Sequence, residues 1–364
     1  MKSSLYNDIR LRVPISYEEF ISQALYHPEY GYYQRDETKL GKQGDFYTSV
    51  HIHPVFAEVF SDYFTSMAAR LNLPLSICEI GAGEGSFASH LVHSLQTNIP
   101  DASWDIHVIE QSPFHRTLLE SSLSAHTRIY DSILSFQKQN PGFRGFIFSN
   151  EWLDAQPVRV VEKVDGILYE IYVSSENENL IETKQPCSEA ATSWLKEHDI
   201  HMENNQRREI PVYMETCARQ LRDSVEEGII VTIDYGYSEE EWSSPARREG
   251  SLRGYKHHTL YKDVLKDPGS MDITHHIPWE IWQAIGAAQG LRIEGLLDQS
   301  SFLIENGILD KLQAHADTDP FSKSQKRNRA IRSLAYSGHL RGAFQVCIQS
   351  RGMEARHGIQ MLRI

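Results

Sequence analysis

The chain has 364 residues, 40% of them hydrophobic and 23% charged, with a formal net charge of −13. That length suits one large domain with an insertion, or two domains, and an acidic surface repels phosphate backbones, so no nucleic-acid partner is expected. No run approaches the roughly 18 apolar residues of a membrane span, so no membrane association is expected either.

The N-terminal "MKSSLYNDIRLRVPIS" lacks an apolar h-region, which argues against a secretory signal. Cys78, Cys187, Cys217 and Cys347 are too scattered for a C-x-x-C pair and read as reduced thiols, so the expected location is cytoplasmic.

In chain order, "ISYEEFISQALYHPEYGYY" opens a helix with Ser16 as N-cap and Glu18 and Glu19 in its first turn. A Gly-rich polar loop, "GKQGDFYTSVHIHP", follows. The amphipathic "VFAEVFSDYFTSMAARL" is a helix, with either the core or a dimer surface as its place. From 76 to 150 the pattern alternates: strand "LSICEIG", helix "EGSFASHLVHSLQ", strand "DIHVIE", helix "PFHRTLLESSLS", strand "TRIYDS", strand "GFIFSN". That spacing predicts an α/β fold with a parallel sheet and helices on both faces.

Period-2 alternation follows in "VRVVEKVDGILYEIYVSSENENLIETK", a hairpin turning at Asp165-Gly166. "EIPVYMETCARQLRDSV" reads as a helix, "EGIIVTIDYGYS" as a buried strand and 238–276 as polar loop. "PWEIWQAIGAAQGL" is a helix, "RIEGLLDQSSFLIENG" and "GAFQVCIQS" are strands, and "DTDPFSKSQKRNRA" is a charged linker into a helix. The expected domains are 1–75 (N-terminal helices and a loop), 76–154 with 228–364 (core sheet), and 155–227 (an insert for substrate or subunit contact).

"CEIGAGEGS" places Gly81, Gly83 and Gly85 between a buried strand and a helix, where glycine allows a tight turn and close backbone approach to a ligand. The dinucleotide fingerprint needs its third glycine one residue later, where Ser86 stands, so an NAD-linked oxidoreductase is disfavoured. Glu79, at the strand end, suits a ligand ammonium. Glu110, ending the second strand, suits a ribose diol. Asp131 and Ser132 end the third, where an adenine amino group would lie. Each is equally an ordinary helix-cap or first-turn residue when taken alone. Together they fit S-adenosylmethionine.

The order of elements and "EIGAGEGS" resemble the class I, Rossmann-like SAM-dependent methyltransferases. The wider chain is similar to the family of MidA proteins and the mitochondrial complex I assembly factor 7. The matching stretches run from 15 to 277, with "GDFYTSV", "SNEWLDAQPV" and "LRGYKHHTLYKDVLKDPGSMDITHHI" among them. The resemblance implies a seven-stranded sheet with an inserted α+β subdomain. It also implies methylation of a protein at arginine, in respiratory complex assembly. The family usually reads "TSPEIS" where this chain has "TSVHIHP".

In that frame "SNEWLDAQPV" follows the fourth strand, beside the transferred methyl. A guanidinium acceptor arrives charged, and a carboxylate can grip it bidentately. Glu151 is the expected grip, Asn150 a hydrogen-bonding partner to acceptor or cofactor, and Asp154 either a second carboxylate or a turn cap. Trp152 is more often core than a cation–π platform. The resemblance also makes "GDFYTSV" a lid on the cofactor, through Gly44, Asp45, Phe46 and Thr48, where the residues alone suggest a turn before a helix. Asp234 and Tyr235, ending the fifth strand, would face the acceptor groove.

No histidine pair has a metal-site spacing such as H-E-x-x-H, so no metal is expected. The expected partner is a basic, arginine-presenting protein, with a homodimer as one use of the insert. The alternatives are a small-molecule methyltransferase and a chaperone-like, SAM-binding assembly factor with little turnover.

Overall fold

The structure, a computed structural model, describes residues 4–35, 53–123, 127–314, 319, 321–336 and 343–353. The expected lid residues Gly44, Asp45, Phe46 and Thr48 lie outside the described residues. The chain divides into two units: one comprises 47–152, 218–235 and 286–364, the other 1–46, 153–217 and 236–285.

The first unit is built on a sheet whose strands are β1 (Ser76–Ile80), β2 (Asp105–Ile109), β3 (Thr127–Tyr130), β4 (Arg144–Asn150), β5 (Glu227–Tyr237), β6 (Arg292–Asp298) and β7 (Phe344–Arg351). Their order is β3-β2-β1-β4-β5-β7-β6. β1 to β5 are parallel, and β7 runs antiparallel to both β5 and β6. This is the expected mostly parallel sheet, its seven main strands joined by an eighth of two residues, Ile277–Pro278, parallel to the end of β5. β1 is buried at every position and β4 at all but its ends. Such strands are covered on both faces and therefore read as continuous apolar runs.

Helices α1 (Val55–Leu71) and α2 (Ser86–Asn98) share one core with Phe146, Phe148, Val231, Ile233, Val346 and Ile348 of the sheet. Phe87 stacks on Phe148 with ring centroids 4.1 Å apart, and Phe60 lies 5.1 Å from the same ring. Phe56, Phe60, Tyr63 and Phe64 are all buried, so the apolar face of α1 is core. Burying each such aromatic stabilises the fold by roughly 2–3 kcal/mol.

"RIEGLLDQSSFLIENG" is a strand only as far as Asp298. That carboxylate accepts the Ser301 N–H at 2.9 Å and caps a helix, Gln299–Glu305. The local cap outweighs the apolar run, because an N-cap acid satisfies a helix donor that a strand would leave unpaired.

The second unit holds a mixed-length antiparallel sheet of Ile15–Ser16, Ile167–Glu176, Arg159–Val164, Arg207–Ile210 and Asn179–Pro186. The hairpin turns where expected: Asp165 and Gly166 have φ of 49° and 80°, the positive pair a two-residue hairpin turn demands. Ser16 accepts the Glu19 N–H at 3.1 Å and starts helix Tyr17–Tyr26. The helix packs Phe20, Ile21, Ala24 and Leu25 with Val158, Val160, Ile171 and Val173.

The expected boundaries at 75, 154 and 227 cut the chain differently from these units. Residues 238–276, expected as loop, contain a three-stranded antiparallel sheet of Arg253–Lys256, Thr259–Tyr261 and Asp272–Thr274. They join the insert because the buried Glu209 carboxylate accepts the N–H groups of Ser251 and Leu252 and the Ser251 hydroxyl, at 2.9–3.1 Å. A buried carboxylate needs such donors, and that segment supplies them. Similarly, Glu209 and Ile210 end the strand Arg207–Ile210, and the helix expected there starts at Met214.

Candidate functional site

The carboxyl ends of β1, β2, β4 and β5 carry a set of polar residues, among them Glu79, Glu110, Asn150, Glu151 and Asp234. β1 leads through Gly81, Gly83 and Gly85, with φ of 74°, 54° and 78°, into α2. The N–H of Gly81 donates to the Ile109 carbonyl at 2.9 Å, tying the loop to the end of β2. Gly85 caps α2, and a Cβ there would stand 2.3 Å from Leu119 Cδ2. On the other side of the loop, a Cβ on Gly81 would meet Trp152 Cδ1 at 3.4 Å. Trp152 therefore packs on the glycine loop, as a wall residue.

Glu79 is buried, in register with Val108 of β2 and Phe148 of β4. Its Oε2 has no hydrogen-bond partner among the described residues. Burial first, and the charge of Glu110 second, push its carboxyl up to about 8. An uncompensated buried carboxylate is costly unless a cation meets it.

Glu110 is also buried, yet its two oxygens are paired. Oε2 accepts the Gly83 N–H at 2.7 Å and Oε1 the Ser112 N–H at 2.7 Å. Burial raises its carboxyl, and those two N–H groups oppose the rise. A carboxylate oxygen carries about two acceptor sites, so each keeps one for a further donor such as a hydroxyl.

Asp131 and Ser132 are exposed. Ser132 accepts the Ser135 N–H at 3.2 Å, capping α3 (Ile133–Gln139), and donates to Asp131 Oδ1 at 2.8 Å. That hydrogen bond lowers the Asp131 carboxyl. Capping accounts for both residues as they stand.

At the tip of β4, Asn150 Nδ2 donates to Glu151 Oε1 at 3.0 Å, while the buried Asn150 Oδ1 has no partner among the described residues. Glu151 has φ +51° and donates its N–H to the Ile233 carbonyl at 2.9 Å. A left-handed non-glycine residue costs about 1–2 kcal/mol and persists only where its surroundings enforce it. Tyr235, on β5, donates its hydroxyl to Glu151 Oε2 at 3.4 Å. Asp234 is fully buried and accepts the Tyr235 N–H at 2.8 Å.

Asn150 and Glu151 are thus brought together as expected, and Tyr235 joins them through a contact that no spacing rule foretold. Asp154 falls in the other unit. It is buried there, and its backbone carbonyl accepts the His275 N–H at 3.1 Å.

Residues 55–297 match the family described as "Putative S-adenosyl-L-methionine-dependent methyltransferase". The chain belongs to this family. The methyltransferase is 26% identical over 341 residues to the Danio rerio "Protein arginine methyltransferase NDUFAF7, mitochondrial", covering 86% of this chain and 78% of the relative. Its Drosophila melanogaster homologue is 25% identical over 354 residues, with 86% and 78% covered. A Burkholderia thailandensis protein crystallised with S-adenosyl-homocysteine shares the fold, with a TM-score of 0.86, 24% identity and coverage of 99% and 94%.

S-adenosyl-L-methionine is the cofactor of this methyltransferase, and the residues at the strand ends fit it. The orphaned carboxylate oxygen of Glu79 suits an ammonium, the remaining acceptor sites of Glu110 suit hydroxyls, and the glycine loop leaves backbone exposed for close approach. Among the described residues, no helix is long and apolar enough to cross a membrane.

Proposed function

We propose that this methyltransferase acts on arginine side chains of a protein. The observation that carries the reading is the carboxylate of Glu151, set at the tip of β4 with Asn150 on one oxygen and Tyr235 on the other. The names of its relatives support it, since both are protein arginine methyltransferases.

Held at the strand ends, S-adenosyl-L-methionine would supply an electrophilic methyl on a sulfonium, with the neutral thioether as the leaving group. Glu151 receives the guanidinium bidentately and draws its positive charge to the gripped nitrogens. The free nitrogen is then the better nucleophile. It takes the methyl group and gives up one proton to water, so the guanidinium charge is unchanged. Asn150 orients Glu151 and offers its unpaired Oδ1 to a donor on acceptor or cofactor. Glu79 would hold the cofactor ammonium and Glu110 its ribose.

A chain of net charge −13 suits a basic client. All four cysteines are free, in keeping with a reducing compartment. The expected cytoplasm is one such place, and the mitochondrion in the relatives' names another.

The test is Glu151→Gln, assayed with radiolabelled S-adenosyl-L-methionine and a protein extract as acceptor. Transfer is expected to fall by about 100-fold or more while cofactor affinity stays near wild type. Label recovered on a residue other than arginine after hydrolysis would overturn the substrate. An absence of transfer by the wild type would favour the assembly-factor alternative.

A further inference from the structure

We propose that Tyr235 is a positioning residue for methyl transfer, holding Glu151 through a contact whose rigidity is set by Phe344 on β7. The inference rests on the reading of Glu151 as the acceptor grip.

The register puts the three residues side by side. Asn150 on β4 pairs with Ile233 on β5, and the next residue, Glu151, donates its N–H to the Ile233 carbonyl at 2.9 Å. Two positions further along β5, Tyr235 reaches Glu151 Oε2 at 3.4 Å. Tyr235 in turn pairs with Phe344 across the antiparallel β5–β7 ladder, and the two rings lie 4.1 Å apart at 35°. Phe344 is buried, so the tyrosine ring leans on a fixed wall. Its N–H is held by Asp234 Oδ1 at 2.8 Å.

A glutamate side chain has several rotatable bonds, and ordering it against them is unfavourable. A bidentate grip needs both oxygens in one plane at one place. Among the contacts described, Asn150 donates to one oxygen and Tyr235 to the other, and both of these donors are neutral. Neutral donors orient the carboxylate without cancelling the charge a guanidinium needs, whereas an arginine or lysine partner would compete with the acceptor. The Tyr235 contact is long for an O–H···O bond, so its value lies in orientation more than in strength.

Tyr235→Phe removes the hydroxyl and keeps the ring against Phe344. The antisymmetric carboxylate stretch of Glu151, isolated as the infrared difference between wild type and Glu151→Gln, is compared with the same difference in the Tyr235→Phe background. No acceptor is required for that arm. The band is expected to move in Tyr235→Phe, and kcat for an arginine-rich peptide or extract protein to fall by about tenfold, with cofactor affinity unchanged. Phe344→Leu, which loosens the ring without touching the hydroxyl, should move both readouts the same way by less. A superimposable band overturns the proposal, as does wild-type kcat in Tyr235→Phe. Full transfer by Glu151→Gln would instead sink the grip reading, and the band would still report whether Tyr235 holds the carboxylate.

Discussion

Gly83 donates its backbone N–H to Glu110 Oε2 at 2.7 Å, so the glycine loop after β1 is latched to the tip of β2 by the same carboxylate assigned to the ribose. Glu110→Gln should spoil the latch. Both oxygens face N–H donors, from Gly83 and Ser112, so the new NH2 must oppose one of them. Leaving a buried donor unpaired costs about 1–3 kcal/mol. Calorimetric titration should show cofactor affinity reduced by about 10- to 100-fold, and an unchanged affinity would contradict the latch.

Glu79 ties stability to pH. Its carboxyl is raised on folding from an ordinary 4.5 to about 8. A group raised in this way contributes stability fully present below its unfolded value and lost as pH rises towards the folded one. The cofactor-free protein should therefore lose a few kcal/mol between about pH 4.5 and 8, taking about 1.4 kcal/mol per unit and discounting for the coupling to Glu110. Glu79→Gln should melt higher than wild type at pH 8 and bind the cofactor poorly. Because an ammonium favours the ionised form, binding at neutral pH should release close to one proton from Glu79. Titrations in buffers of different ionisation enthalpy would detect it, and zero release would remove the ammonium assignment.

Gly85→Ala meets two penalties. Its φ of 78° is left-handed, and its Cβ would stand 2.3 Å from Leu119 Cδ2. Gly166 offers the control: its φ is 80°, and a Cβ there meets nothing within 4 Å. Gly166→Ala should lose only the strain, about 1–2 kcal/mol. Gly85→Ala should lose clearly more, with part recovered in Gly85→Ala/Leu119→Ala. Equal urea midpoints for the two glycine variants would refute the packing argument.

Arg159 bridges Glu18 at 2.8 Å and Glu170 at 3.0 Å, and the Glu170 side chain is only 1% exposed. Arg159→Met leaves that carboxylate with a single donor from the Ser188 N–H among the contacts described. Breaking such a pair from one side should destabilise the protein by about 3 kcal/mol, and Arg159→Met/Glu170→Leu should recover most of it. Chemical denaturation of the three proteins distinguishes a mispaired charge from lost packing.

The parallel sheet was readable because doubly covered strands are apolar runs, and because the alternation of 76–150 leaves few other topologies. Glu79, Glu110, Asn150 and Glu151 were readable for the same reason: a polar residue ending such a run must stand at one edge of the sheet. Neighbours were not. Period 2 in "GAFQVCIQS" says strand, but says nothing of its place between β5 and β6. The Tyr235–Glu151 contact depends on register between distant segments, and the strands within 238–276 are only three or four residues long, too short to show a period. Ser132 shows the limit of motif reading, since a cap and a ligand contact use the same residue type at the same place.

The position of β7 has a consequence for biosynthesis. It is the last of the seven strands to leave the ribosome, yet it fills a slot between two strands made earlier. Until it arrives, the inner edges of β5 and β6 carry unpaired N–H and C=O groups over a largely apolar surface, an open template for another chain. Nascent or prematurely terminated chains lacking 344–351 should therefore depend on chaperones and be cleared as aggregates or degradation products, however sound the glycine loop and acidic tips already formed upstream.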